Sequence, residues 1–137
     1  MELRMLGKSR TTKTPEWYRS TTWICYSVVL LLIAAAVAAP LYAYFGSWRP
    51  VGEAEAIWLQ RSGAVTTLFS FMAGAMSVFA GGRLYTPGFF GDKDRLTVLV
   101  EFKKWFRFAE ILIFGLSIIG TAVWGYGDLM YTAFHSA

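Results

Sequence analysis

The chain is expected to fold as an all-α membrane protein: three transmembrane helices, with a short amphipathic cytoplasmic helix before the third. Three observations lead there. Of 137 residues, 55% are hydrophobic and only 16% charged, against about a quarter charged in soluble domains. The mean hydropathy is +0.43, and most apolar residues gather in three long runs. The cations are also unevenly placed, eleven of the 13 Lys and Arg falling in two of the segments outside those runs. A disordered chain is excluded, and a water-soluble globule does not fit. The domain reading is a basic N-terminal segment, 1–21, followed by a three-helix transmembrane domain, 22–137.

The first span is read at 23–45, where no charge occurs from Trp23 to Phe45. About 20 apolar residues in a helix cross a hydrocarbon core of roughly 30 Å. Pro40 falls in its last third, where a bilayer tolerates a kink. Ala36-Val37-Ala38 fits the small-x-small pattern of a signal-peptide cleavage site. The apolar run nevertheless continues through Leu41-Tyr42-Ala43-Tyr44-Phe45 to spanning length, so a retained helix is expected. Trp17 and Tyr18, just ahead of it, suit the membrane interface.

Pro50-Val51-Gly52 reads as a turn, and Glu53 and Glu55 suit the first turn of the next helix, where acids complement its dipole. The second span, 62–82, is uncharged between Arg61 and Arg83 and rich in Gly, Ala, Ser and Thr. Gly81-Gly82 and Thr86-Pro87-Gly88 read as breakers opening a cytoplasmic loop, 83–107. Asp92 is the expected cap of a helix over 93–108. There Thr97, Glu101, Lys104 and Phe108 share a mostly polar face, while Leu96, Leu99, Val100, Lys103 and Phe106 lie elsewhere. The expectation is a helix lying on the inner leaflet that bends into the third span, 108–130. One long helix with a protruding first third is the alternative.

Orientation follows from loop charge. Arg4, Lys8, Arg10, Lys13 and Arg19 precede span one, and Arg83, Lys93, Arg95, Lys103, Lys104 and Arg107 separate spans two and three. Only Arg49 and Arg61 lie between spans one and two. The positive-inside rule puts the N-terminus in the cytoplasm and the C-terminus outside. The basic excess thus has a topological cause and requires no nucleic acid. Lys93, Arg95, Lys103 and Lys104 are expected to attract anionic lipid headgroups.

Chemistry-bearing residues are few. Cys25 is the single cysteine and His135 the single histidine. An intrachain disulfide, a cysteine metal site and a bis-histidine haem are therefore impossible within one chain, and a nucleophilic triad would need the near-terminal His135. No catalytic residue, cofactor or metal is expected.

Small residues let helix backbones approach. Span two has two such stripes, Ser62/Thr66/Ser70/Gly74 and Ala73/Ser77/Gly81, and span three has Ser117/Thr121/Gly125. These are the candidate helix–helix or partner contacts. Span two carries small residues on more than one face, which suggests a second contact surface. Arg61 and Asp128 border spans two and three on the same side and are expected to pair. Arg107 and Glu110 are expected to form a local pair at i,i+3 spacing.

Arg61-Ser62-Gly63, opening one span, and Gly120-Thr121-Ala122-Val123-Trp124-Gly125-Tyr126-Gly127-Asp128, closing the last, resemble a pattern in small multi-pass bacterial inner-membrane proteins of unassigned function. The resemblance rests on two patches, of three and nine residues. It implies a bacterial inner membrane and nothing catalytic. The expected function is a non-enzymatic small membrane protein, an oligomerising or accessory subunit of a membrane complex, whose partners are other copies or another membrane protein. The alternative is an oligomeric membrane-perturbing effector or small channel, with Thr66, Ser70, Ser117 and Thr121 as a thin polar stripe. An enzyme or transporter acting alone fits least.

Overall fold

The computed structural model of the protein describes residues 15–48, 50–84 and 93–135. The expected Asp92 cap, the Thr86-Pro87-Gly88 breaker and the basic residues before Pro15 lie outside them. Three helices account for nearly all the described chain: α1 (Pro15–Phe45), α2 (Glu55–Leu84) and α3 (Lys93–His135). All three are long and apolar enough to cross a membrane, so the chain is an integral membrane protein of multi-pass type. At 1.5 Å per residue they measure about 46, 45 and 64 Å, each longer than a hydrocarbon core of about 30 Å.

Helix ends follow local chemistry. Pro15 opens α1, where its missing N–H and fixed φ fit the first helical position. At the other end the Gly46 amide bonds the Tyr42 carbonyl at 2.8 Å. The expected turn is present: the Glu53 amide donates to the Pro50 carbonyl at 3.2 Å. Gly52 has φ +90°, the left-handed position that a type II turn reserves for glycine.

Three expectations change. α1 begins eight residues before Trp23, α2 runs through Gly81-Gly82 to Leu84, and α3 is one continuous helix from Lys93. Among the described residues no separate amphipathic helix precedes the third span. Residues 93–108 contain no Gly or Pro, and three of their apolar positions find a partner within the protein, while Leu96, Val100, Trp105 and Phe108 stay exposed. Val98, Phe102 and Phe106 recur every four residues and are buried. Trp23 packs edge-on against Phe102 at 5.2 Å between ring centroids, and Tyr26 against Phe106 at 5.9 Å. Arg19 Nη2 meets Glu101 Oε1 at 2.5 Å beside this cluster. The early part of α3 therefore stands upright against the early part of α1 instead of lying on lipid.

The helices run up, down and up. α2 packs along both neighbours, while α1 and α3 touch over a smaller area. The core is a line of Val29, Ile33, Ala73, Phe102, Ala109 and Ile113. Large apolar side chains such as Leu31, Phe71, Val78, Phe114 and Ile118 point outward, an arrangement suited to a lipid solvent. Five of the described cations, Arg19, Lys93, Lys103, Lys104 and Arg107, mark one end of the bundle, hereafter the basic end, and Arg61 lies at the other. Glu53, Glu55 and Asp128 also mark that other end.

Candidate helix-contact and lipid-contact surface

Pro40 creates a local problem in α1. It has no N–H, so the Ala36 carbonyl, four residues back, loses its usual helical donor. Ala36 is fully buried, and nothing in hydrocarbon replaces that donor. The Thr66 hydroxyl of α2 donates to the Ala36 oxygen at 2.9 Å, with the Ser62 carbonyl as a second acceptor at 3.1 Å. A side chain from one helix thus repairs the backbone of another.

The α2/α3 contact is closer. A Cβ placed on Gly63 would run into the Trp124 amide nitrogen and stand 2.6 Å from the Gly120 oxygen. One placed on Gly120 would stand 2.6 Å from Thr67 Oγ1 and 2.9 Å from the Thr67 amide. One placed on Gly127 would stand 2.9 Å from the Gln60 Cα. Only hydrogen fits at these three positions, so the backbones are in direct contact. Gly63, Gly120, Trp124 and Gly127 of this contact lie in the two patches quoted above, 61–63 and 120–128, while Gln60 and Thr67 lie outside them. The spacing Gly120–Gly127 is two helical turns, which puts both glycines on the side of α3 that faces α2.

The small-residue stripes divide. Ser62, Thr66, Ser70, Ala73 and Ser77 are buried between helices. Gly74 is half-buried against Ile113, and the half-buried Gly81 has open space around it. On α3 the outcome differs. Ser117 is half-buried and Thr121 and Gly125 are exposed, and a Cβ on Gly125 would meet nothing within 4 Å. Their hydroxyls turn back to their own helix, Ser117 to the Ile113 carbonyl at 2.9 Å and Thr121 to the Ser117 carbonyl at 2.7 Å. Ser70 is the exception, its buried hydroxyl having no partner among the described residues. Leaving such a group unmatched costs on the order of 1–3 kcal/mol.

The ion pairs are not those the sequence suggested. Arg61 Nη1 meets Glu53 Oε1 at 2.7 Å, not Asp128. The two helices are neighbours at this depth, but Gly127 is the residue that faces Gln60. Asp128, one position on, is turned about 100° away. Glu53, on the approach to α2, lies within reach of a long side chain folding back. Arg107 and Glu110 are both exposed, and no ion pair joins them among the described residues. Lys93, Lys103 and Lys104 are exposed at the basic end, while the Arg95 side chain is outside the described ones.

Two contiguous hollows open along the outer edge of the α2/α3 contact. One, of ≈ 630 Å³, is lined by Phe71, Gly74, Val78, Glu110, Ile113 and Phe114 among others. The next, of ≈ 440 Å³ towards the basic end, shares Val78 and Glu110 with it and adds Gly81, Gly82, Lys103 and Arg107. Among the described residues no group of three His, Cys, Asp or Glu is placed to hold a metal. No protein-family model, curated protein or solved structure matches the chain.

Proposed function

We propose that this chain is a non-enzymatic subunit of a bacterial inner membrane that assembles with a further transmembrane helix, from another copy or from another membrane protein. The contact surface is the outward face of α3 around Thr121 and Gly125. The observation that carries this reading is their exposure: two small residues one turn apart face outward, with open space over Gly125. Such positions favour close approach of a second helix and add little to packing against lipid tails. The glycines that α3 needs internally, Gly120 and Gly127, lie on a different side, so the outward face is spare. In this reading the N-terminus is cytoplasmic and the C-terminus external, because eleven of the 13 cations then lie inside.

The native mass of the assembly in mild detergent tests the proposal. A defined homo-oligomer or a stoichiometric complex is expected for the native sequence, and Gly125→Leu, which fills the face, should release the single chain. A monomer for the native sequence, with no co-purifying protein, overturns it.

A further inference from the structure

The two hollows along α2 and α3 differ in chemistry in a way that matches one kind of molecule. The inner one, near the middle of the bundle, has apolar walls from Phe71, Val78, Ile113 and Phe114, with Gly74 and Ala75 leaving the space. The one towards the basic end carries Lys103 and Arg107 at its mouth. Neither cation makes an ion pair among the described residues, and a Cβ on Gly81 or Gly82 would meet nothing within 4 Å. The hollows share Ser77, Val78 and Glu110, so they form one channel open along its side. From Lys103 to Ser117 it runs about 20 Å along α3.

Depth decides what the channel faces. Thr67 touches Gly120 and Gly74 touches Ile113, so the middle of the uncharged run in α2 stands level with residues 115–119 of α3. Arg107 then lies about 12–18 Å from the bilayer midplane, at the edge of the hydrocarbon, and Lys103 about 6 Å further out. That interval is the headgroup layer. Glu110 lies just inside it, where its carboxylate bars an anion from moving deeper.

We propose that this channel binds one anionic phospholipid of the leaflet at the basic end. Its phosphate sits between Lys103 and Arg107, and one acyl chain lies along Val78, Gly74, Phe71 and Phe114. A transmembrane helix is a poorer occupant, because it would bury two cations that have no counter-charge but Glu110. Lys93 and Lys104 are also exposed at this end, yet neither lines the channel. The site is thus distinct from the general attraction of basic residues for anionic membranes, and it sits in the opposite half of the bilayer from Gly125.

Native mass spectrometry of the full chain reads the site, using dioleoyl-phosphatidylglycerol against dioleoyl-phosphatidylcholine. One retained phosphatidylglycerol per chain is expected, with clear preference over the zwitterionic lipid of the same tails. Each cation is worth about fivefold in affinity, so Lys103→Gln with Arg107→Gln should weaken retention roughly thirtyfold. Lys93→Gln with Lys104→Gln, outside the site, should weaken it clearly less than that. Gly74→Leu, which fills the apolar channel and spares both cations, should also expel the lipid; Val78→Trp serves if that variant does not fold. Equal losses in the two double variants, or no preference between the lipids, overturn the proposal. So does displacement by free glycerol 3-phosphate, which would mark a site for a soluble phosphate. A channel-filling variant that changes the protein stoichiometry and leaves lipid retention intact would assign the channel to a helix instead.

Discussion

Thr66→Val is the most informative single substitution in the bundle. Valine keeps the shape of threonine and removes the one hydroxyl proton. That proton is shared between the Ala36 oxygen at 2.9 Å and the Ser62 oxygen at 3.1 Å. The Ser62 carbonyl keeps its own helical donor, so the loss falls on Ala36, whose helical donor Pro40 cannot supply. Ala36 and Thr66 are 0% and 1% exposed, so neither water nor headgroups replace the bond. An unmatched buried carbonyl costs about 1–3 kcal/mol. Hydrogen bonds between membrane helices average nearer ~0.6 kcal/mol, because the unfolded chain in lipid finds other partners. A loss of about 1.5 kcal/mol is expected, near the upper end of the membrane values, since this acceptor has no alternative donor in its own helix. The control is Pro40→Ala, which restores an N–H to the Ala36 carbonyl. In that background Thr66→Val should cost less than about 0.5 kcal/mol, giving a coupling of about 1 kcal/mol between residues in different helices. Reversible unfolding in mixed micelles, followed by far-ultraviolet circular dichroism, measures all four corners of the cycle. Equal costs of Thr66→Val with proline and with alanine at position 40 would refute the repair of the Ala36 carbonyl.

Other substitutions separate the remaining contacts. Gly63→Ala should destabilise by about 2–3 kcal/mol in the same unfolding assay, because its methyl meets backbone atoms that cannot give way. Gly125→Ala, in open space, should be neutral or gain up to about 1 kcal/mol from helix propensity in a variant held monomeric. Glu53→Gln should lower stability by at most about 1 kcal/mol, because its pair with Arg61 is partly exposed. Exchanging Glu53 and Arg61 should recover that loss, whereas exchanging Arg61 with Asp128 should not. Cysteine at Lys104 should react with an impermeant maleimide only from the cytoplasmic side, and cysteine at Val51, fully exposed in the turn, only from the outside; reversed labelling overturns the orientation.

The existence of three spans was legible because a bilayer imposes a length on apolar runs, and Trp23–Phe45 meets it without a single charge. The end of α1 at Phe45 and the starts of α2 at Glu55 and α3 at Lys93 were legible, whereas the start of α1 at Pro15 and the run of α2 on to Leu84 were not. Tyr18 and Thr22 are buried below Trp23, and the turns that carry them pack against α3. The same contact keeps 93–108 in one helix with the third span, since Phe102 and Phe106 bury against Trp23 and Tyr26. An amphipathic pattern alone does not say whether its apolar side faces lipid or protein. Small residues were legible as a class, but not by destination. Thr66 and Gly63 work inside the bundle while Thr121 and Gly125 face outward, and that difference depends on helix rotations that no spacing specifies. Arg61 shows the same limit at the scale of one side chain: a helix turned by one residue puts Gly127, not Asp128, at the seam.

The outward face of α3 is tested most directly in intact membranes, with a photo-crosslinking amino acid placed at Gly125 and, as control, at Leu31 on the outer face of α1. One discrete protein adduct is expected from position 125, at the mass of a second copy or of one other membrane protein, and none from position 31. Adducts to lipid alone at position 125, or the same protein adducts from both positions, would contradict it.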